Sequence, residues 1–312
     1  MRIGLVVDSA CDLPPEFIQQ HRIVVMPISI LLGKREFVDV REPAATLEFY
    51  RKHMTDAADG ETAPQTPEQI KQLFLERLVI DYDYVFCLTI ASSRSPIFEN
   101  ATRASLAILN DYKPVRRQAG VAGPFALRVV DTQNLFAGQG LLAAVAARLI
   151  ESGAMPTQIR EKLDALIPQL YGYMLPGNLY QLRARAQKKG DRSVGWIRYA
   201  LGSALDLKPL IRGHCNETKP VTTLRHFDEG AQRCFDFLVR RIKAGLLAPV
   251  VCLSYGGPLE QLQRLPGYRA LAQAADTAGV ELLSSVMSIT GGINVGEGAL
   301  AFALCTADHE FD

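Results

Sequence analysis

The stretch from Tyr84 to Ala101, YVFCLTIASSRSPIFENA, constrains the fold of this chain more than any other. The apolar run 84–90 has the length and composition of a buried strand. It empties into Ser92, Ser93 and Ser95, and a helix then opens at Pro96. Proline suits the first helical position, and a serine just before it suits the N-cap. Helix 97–110 leads into a second apolar run, 127–131. A strand, a helix and a strand in that order make a crossover, which implies a parallel sheet. The free N–H groups and the helix dipole at the serine loop also make a site for an anion. No residue in the cluster is a base able to activate a serine, so the loop reads as binding rather than cleaving. Its plain alternative is a polar turn that only caps the helix.

Strands and helices alternate through the rest of the first half. A strand is expected over 3–8, followed by a helix begun by Leu13-Pro14-Pro15-Glu16 and capped by Asp12. A second apolar run covers 23–32, and a helix is expected around 45–53. Thr66-Pro67-Glu68-Gln69 has the capping-box pattern and opens another helix. A helix over 135–152 stops at Gly153. In the second half, helix 156–168 precedes the run 171–175, and a helix rich in Arg and Lys is expected at 178–189. Further apolar runs fall at 209–211, 250–255, 280–283 and 299–305, with long helices near 229–245 and 258–275. Fewer single-helix crossovers link these strands, so a mixed sheet is expected. The boundary is placed near 155, giving units 1–155 and 156–312.

Composition narrows the function. At 312 residues the chain is long enough for two domains of ~100–200 residues. A net charge of +1 gives no global field for nucleic acid or an anionic membrane surface. No apolar run approaches the ~20 residues that span a bilayer. A first strand at Ile3 leaves no room for a signal peptide, so the cytoplasm is expected. The six cysteines show no CxxC and no Cys/His spacing suited to zinc, and the five histidines are dispersed. No metal and no cofactor are expected. GxSxG and HExxH are absent, and the pair Asp81/Asp83 reads as a solvated edge.

Three further segments could carry function. In Glu61-Thr62-Ala63-Pro64-Gln65-Thr66-Pro67, Thr66 reads as a cap, which leaves the Thr62 hydroxyl available. GGINVGEGAL, residues 291–300, lacks the GxGxxG order, and tight turns account for its glycines. Arg183, Arg185, Lys188, Lys189, Arg192 and Arg198 form either a solvated face or a docking patch for an acidic partner.

Together these segments resemble the DegV family of fatty-acid-binding proteins. VVDSACDLP is similar to the family's D-S-x-x-D-L-P opening at Asp8, Ser9, Asp12, Leu13 and Pro14. ETAPQTPEQI is loosely similar to T-S-Q-P-S-P, retaining Thr62 and Pro67. IASSRSPIFENA resembles I-S-S-x-x-S-G-T-Y-x-x-A at Ile90, Ser92, Ser95 and Ala101, and VVDTQNLFAGQGLL resembles V-x-D-S…G-x-G-L. KKGDRSVGWIRYALGSALDLKPLI is similar to K-G-G-R-I…L-G-x-x-L-x-I-K-P through Lys189, Gly190, Arg192, Leu201, Gly202, Lys208 and Pro209. The resemblance covers nearly the whole chain.

That resemblance implies a two-domain α/β fold: an N-terminal parallel three-layer α/β/α domain and a C-terminal mixed-sheet α/β domain closing a lipid tunnel. It implies one long-chain fatty acid, such as palmitate, stearate or oleate, held at its carboxylate by Thr62 and by Ser92 or Ser95. Asn294 stands where the family usually places a histidine by the head group, and it removes a titrating group from that position. Arg192 is a candidate contact for a partner or for the residues around the head group. The implied role is non-catalytic, presenting lipid to a separate ATP-binding fatty acid kinase subunit. Two alternatives stand beside it: a small-substrate enzyme related to dihydroxyacetone kinase domains, and a regulatory interaction protein that docks through 183–198.

Overall fold

The computed structural model describes residues 1–54, 60–177, 179 and 206–312. The basic segment 183–198, with Arg192 and most of the expected helix 178–189, lies outside the described residues. Three sheets organise the rest. The first is wholly parallel, in the order β2-β1-β6-β7, from β1 (Ile3–Asp8), β2 (Val24–Met26), β6 (Tyr84–Thr89) and β7 (Ala126–Asp131). The second is a small antiparallel sheet, β4-β3-β5, from β3 (Ile28–Leu32), β4 (Arg35–Asp39) and β5 (Glu61–Pro64). The third is a mixed six-stranded sheet in the order β10-β9-β8-β13-β11-β12. Its strands are β8 (Leu170–Leu175), β9 (Leu207–His214), β10 (Glu217–Arg225), β11 (Val250–Tyr255), β12 (Glu281–Val286) and β13 (Leu300–Cys305). Only β11 and β12 run parallel in it.

Helices cover both faces of the parallel sheet. In chain order the first six helices are α1 (Pro15–Gln20), α2 (Pro43–His53), α3 (Pro67–Leu73), α4 (Ile97–Ala107), α5 (Tyr112–Gln118) and α6 (Ala137–Glu151). Of these, α2 instead packs on the small antiparallel sheet, where Phe49 and Tyr50 cluster with Ile30 and Leu32. The strand order runs outward in opposite directions from β1 and from β6. Right-handed crossovers therefore put α1 and α4 on opposite faces. α3 packs with α4, and α6 lies with α1, where the Arg148 guanidinium sits 5.1 Å from the Phe17 ring.

The residue pattern of α6 explains how the halves join. Its first eleven residues, AGQGLLAAVAA, are all buried, and a helix apolar all round must be covered all round. α6 packs on β1 and β6 on one side and on β8, β11 and β13 on the other. Small residues let both sheets approach. A Cβ at Gly140 would lie 2.5 Å from the Asp12 carbonyl oxygen, so this contact requires glycine. The remaining helices are α7 (Pro156–Leu166), α8 (Phe227–Ala244), α9 (Leu259–Arg264), α10 (Tyr268–Thr277) and α11 (Ile289–Val295).

Five local expectations are corrected. Asp12 does not cap α1: the N-cap is Pro14, with no side-chain bond, and the Asp12 carboxylate is spent elsewhere. The run 23–32 divides at Pro27 into β2 and β3, which belong to different sheets, because proline gives no N–H to a ladder. The helix expected over 258–275 is two, broken at Leu265-Pro266-Gly267, with Gly267 at φ +87°. Gly291 and Gly292 are helical rather than in turns, and a Cβ on Gly292 would lie 2.3 Å from the Tyr50 hydroxyl oxygen. Gly296 and Gly298 do adopt positive φ. Asp83 is no solvated edge either: it accepts from Arg2 and from the buried Arg116 guanidinium, which hold its carboxyl well below the usual range.

Buried polar groups pin the halves together. The Asp12 carboxylate pairs with Arg41 Nη1 at 3.1 Å and accepts from Ser254 Oγ and from the Ser288 N–H at 2.9 Å. Arg41 Nη2 donates to the Val286 carbonyl at 3.0 Å. Asp39 accepts from the Thr290 N–H and hydroxyl, both at 2.9 Å. The Tyr50 hydroxyl lies 2.8 and 2.9 Å from the Met287 and Ser288 carbonyl oxygens. Asn134 Nδ2 donates to the Leu170 and Gly213 carbonyls. The side chains of Arg41 and Asp12 are 5% and 0% exposed. Deleting the cation strands a buried carboxylate, so Arg41→Met is expected to lower stability in urea unfolding by about 3–5 kcal/mol. A loss under about 1 kcal/mol would show that Asp12 needs no counter-charge.

Candidate functional site

The strand order places the site. In β2-β1-β6-β7 the chain leaves β1 and β6 toward opposite sides, and open α/β sheets bind ligands in the crevice at that switch. Two loops meet there: Asp8 to Asp12 after β1, and Ile90 to Pro96 after β6. Asp8 stitches them. Its Oδ1 accepts from the Ala10 N–H at 3.0 Å, and its Oδ2 accepts from the Ile90 N–H at 2.8 Å and Gln139 Nε2 at 3.1 Å. Ser9 Oγ accepts from the Ile28 N–H at 3.0 Å. The polar residues of DSACDLP are thus consumed in positioning.

Burial pushes the Asp8 carboxyl up to about 6, against the pull of its three donors. The folded protein holds this proton more tightly than the unfolded chain. The resulting stability is complete below about pH 4 and disappears as pH rises through about 6. Asp8→Asn cannot titrate. Urea unfolding of both proteins from pH 4 to 7 should show wild type losing about 3 kcal/mol relative to the variant. A pH-independent difference would contradict this assignment.

The serine loop divides its labour. Ser92 donates its hydroxyl to Asp131 Oδ2 at 2.5 Å and its N–H to Asp131 Oδ1 at 3.1 Å. Asp131 also accepts from the Gln133 N–H and from Asn216 Nδ2. Ser93 donates to the Asn216 carbonyl at 2.6 Å, and Arg94 bonds Thr218. These bonds clamp the loop onto the β9–β10 hairpin, whose Cys215 and Asn216 both have positive φ, as a two-residue hairpin turn demands. Ser95 differs. Its Oγ accepts from the Ile97 N–H at 3.3 Å, and its own proton meets no acceptor among the described residues. The helix opens at Ile97 rather than at Pro96, which is itself the N-cap, so no serine takes that position.

Thr62 is half-buried on β5, directly opposite Ile30 of β3. Directly paired residues share a face of a sheet. That face is covered by α11, since Ile30 packs with Ile289 and Ile293. Among the described residues the Thr62 hydroxyl makes no hydrogen bond. The β5–α3 junction is fixed to α4 by Asn100 Nδ2, which donates to the Gln65 carbonyl at 2.9 Å. Thr66 and Gln69 form the expected capping box. Asn294, half-buried on α11, donates from Nδ2 to the Thr290 carbonyl at 2.7 Å, one turn back on its own helix.

Asn100 thus ties the end of β5 to α4, and the Ser288 N–H bond to Asp12 ties the start of α11 to the β1 loop. Ser92 is occupied as a clamp, whereas Thr62 and Ser95 keep unspent hydroxyl protons. No group of three or more His, Cys, Asp or Glu side chains suited to a metal occurs among the described residues. Sequence reasoning missed Asp131 and Asn216 as the clamp. The only hint was Asp131 at a strand end in VVDTQ. Losing its acceptor strands up to four donors, so Asp131→Ala should cost about 1–3 kcal/mol in thermal unfolding. It should also speed amide exchange across 91–95, and unchanged exchange there would refute the clamp.

Comparison with known proteins agrees with this architecture. The family model described as "Uncharacterised protein, DegV family" matches residues 2–307, and the chain belongs to that family. A DegV domain-containing protein of Xanthomonas axonopodis pv. citri is 56% identical over 312 residues, covering 100% of this chain and 99% of the relative. A solved DegV lipid binding protein of Thermotoga maritima superposes with a TM-score of 0.75 at 21% identity, over 99% of this chain and 100% of that one. A stearic acid-binding protein of Eubacterium ventriosum gives a TM-score of 0.75 at 22% identity, over 97% and 98%. No helix among the described residues is long and apolar enough to cross a membrane.

Proposed function

We propose that this protein binds one long-chain fatty acid, of the palmitate, stearate or oleate class, with its carboxylate at the β5–serine loop junction. The observation that carries the reading is the pair of hydroxyl protons on Thr62 and Ser95, unspent among the described residues, with Ser95 just ahead of α4 and the end of β5 tied to α4 by Asn100, in a chain of the DegV family. Family members with this fold are described as lipid-binding and stearic acid-binding. Ser95 is preferred to Ser92. The Ser92 proton is already given to Asp131, whose negative charge would also repel a second carboxylate. Asn294 contributes through its second amide hydrogen, the first being held by Thr290.

An acyl chain of roughly 16 carbons contributes ~0.8 kcal/mol per buried methylene, so apolar burial supplies most of the affinity. The carboxylate loses its hydration on entry, and the hydroxyls and helix N-terminus replace it. In the same reading, units 1–155 and 156–312 close over the acyl chain, with Arg192 a candidate contact for the partner or for the residues around the head group. The protein is non-catalytic, works in the cytoplasm and presents the carboxylate to an ATP-binding fatty acid kinase subunit.

Titration of delipidated, folded protein with labelled palmitate and oleate tests the binding. Saturable uptake of one equivalent is expected. Thr62→Ala and Ser95→Ala should each weaken it by about 1–3 kcal/mol, and Ser92→Ala by less. Absence of saturable binding to either lipid would overturn the reading.

A further inference from the structure

We propose that the side-chain amide of Gln65 is a third donor to the ligand's head group and sets a preference for a carboxylate over a neutral lipid head. This rests on the fatty-acid reading above and adds a residue to it. The Gln65 side-chain oxygen is completely buried and meets no donor. Its amide nitrogen makes no hydrogen bond among the described residues either. Gln65 is half-buried as a residue, and it is this oxygen that is shut away; a buried polar atom without a partner is penalised, and folded proteins leave few of them. The fold accepts such a group where a ligand completes it.

Its position points to that ligand. Gln65 follows Thr62 by three residues and sits between two fixed points, Pro64 at the end of β5 and the Thr66 capping box of α3. Its carbonyl is held by Asn100. The Asn100 N–H in turn donates to Pro96, in the first turn of α4. That is the turn whose Ile97 N–H donates to Ser95. The Gln65 backbone and Ser95 are therefore both tied to the first turns of α4, with Thr62 three residues before Gln65 on β5. A carboxylate offers about four lone-pair sites, and two hydroxyls leave some of them unfilled. A half-turn of the amide exchanges its oxygen and nitrogen without changing its shape. An N–H then stands where the unpartnered oxygen lies, and the amide can donate to the head group. A neutral alcohol head needs no such donor.

Competition binding of palmitate and of hexadecanol to wild type, Gln65→Leu and Gln65→Glu tests this. Wild type is expected to prefer palmitate. Gln65→Leu should weaken palmitate about tenfold, and Gln65→Glu should weaken it further by repulsion. Hexadecanol should bind all three within about twofold, which also shows that the variants fold. The proposal is overturned if both variants bind palmitate as wild type does, or if palmitate and hexadecanol weaken together, as lost packing would require. Wild type that takes up neither lipid overturns the fatty-acid reading itself.

Discussion

Everything in this structure depends on one helix that has no solvent face. The first eleven residues of α6 are buried, so the parallel sheet on one side and the mixed sheet on the other must both cover it. Leu141 and Leu142 alone contribute about 1.5–3 kcal/mol each by leaving water. A surface helix could let its two neighbours drift, but α6 cannot without exposing apolar surface. The halves are held at one separation, and the loops at the C-terminal ends of β1 and β6 face the second half of the chain at close range.

On that apolar scaffold, polar groups set register. Asp8 ties the β1 loop to the β6 loop, and Asp12, Arg41, Asp39 and Asn134 tie the first half to the second. These interactions do little for net stability, because each buried charge costs much of what its partner returns. Their effect is geometric: slippage of either half would strand a carboxylate. The same rigidity fixes Ser95 and Thr62, whose hydroxyl protons meet no acceptor among the described residues. The loop's other serines show the contrast, since Ser92 and Ser93 are consumed in holding the β9–β10 hairpin. Three serines thus separate into two clamps and one whose proton is unspent among the described residues.

How much of this was legible depended on the range of the forces involved. The 84–131 crossover, the Thr66 capping box and the stop at Gly153 are written in short-range pattern and read correctly. So were the parallel and mixed sheets and the family. Asp12 misled because aspartate before Leu-Pro-Pro imitates a cap, while its partners Ser254 and Ser288 lie more than two hundred residues away. Arg41 gave no signal for the same reason. α6 was recognised as a helix, but a helix apolar all round reveals no preferred face and so conceals that it serves two sheets. That Ser92 is engaged and Ser95 is not depends on Asp131 and Asn216, brought in by β7 and by the β9–β10 turn, which no local spacing records.

The central claim is that a fatty acid carboxylate accepts the hydroxyl protons of Thr62 and Ser95. Carbon-13 NMR of carboxyl-labelled palmitate bound to the protein reads that contact at the atom concerned. The account predicts a single bound carboxyl resonance, distinct from free palmitate, that moves in Thr62→Ala and in Ser95→Ala. A bound resonance indifferent to both substitutions would place the head group elsewhere and contradict the account.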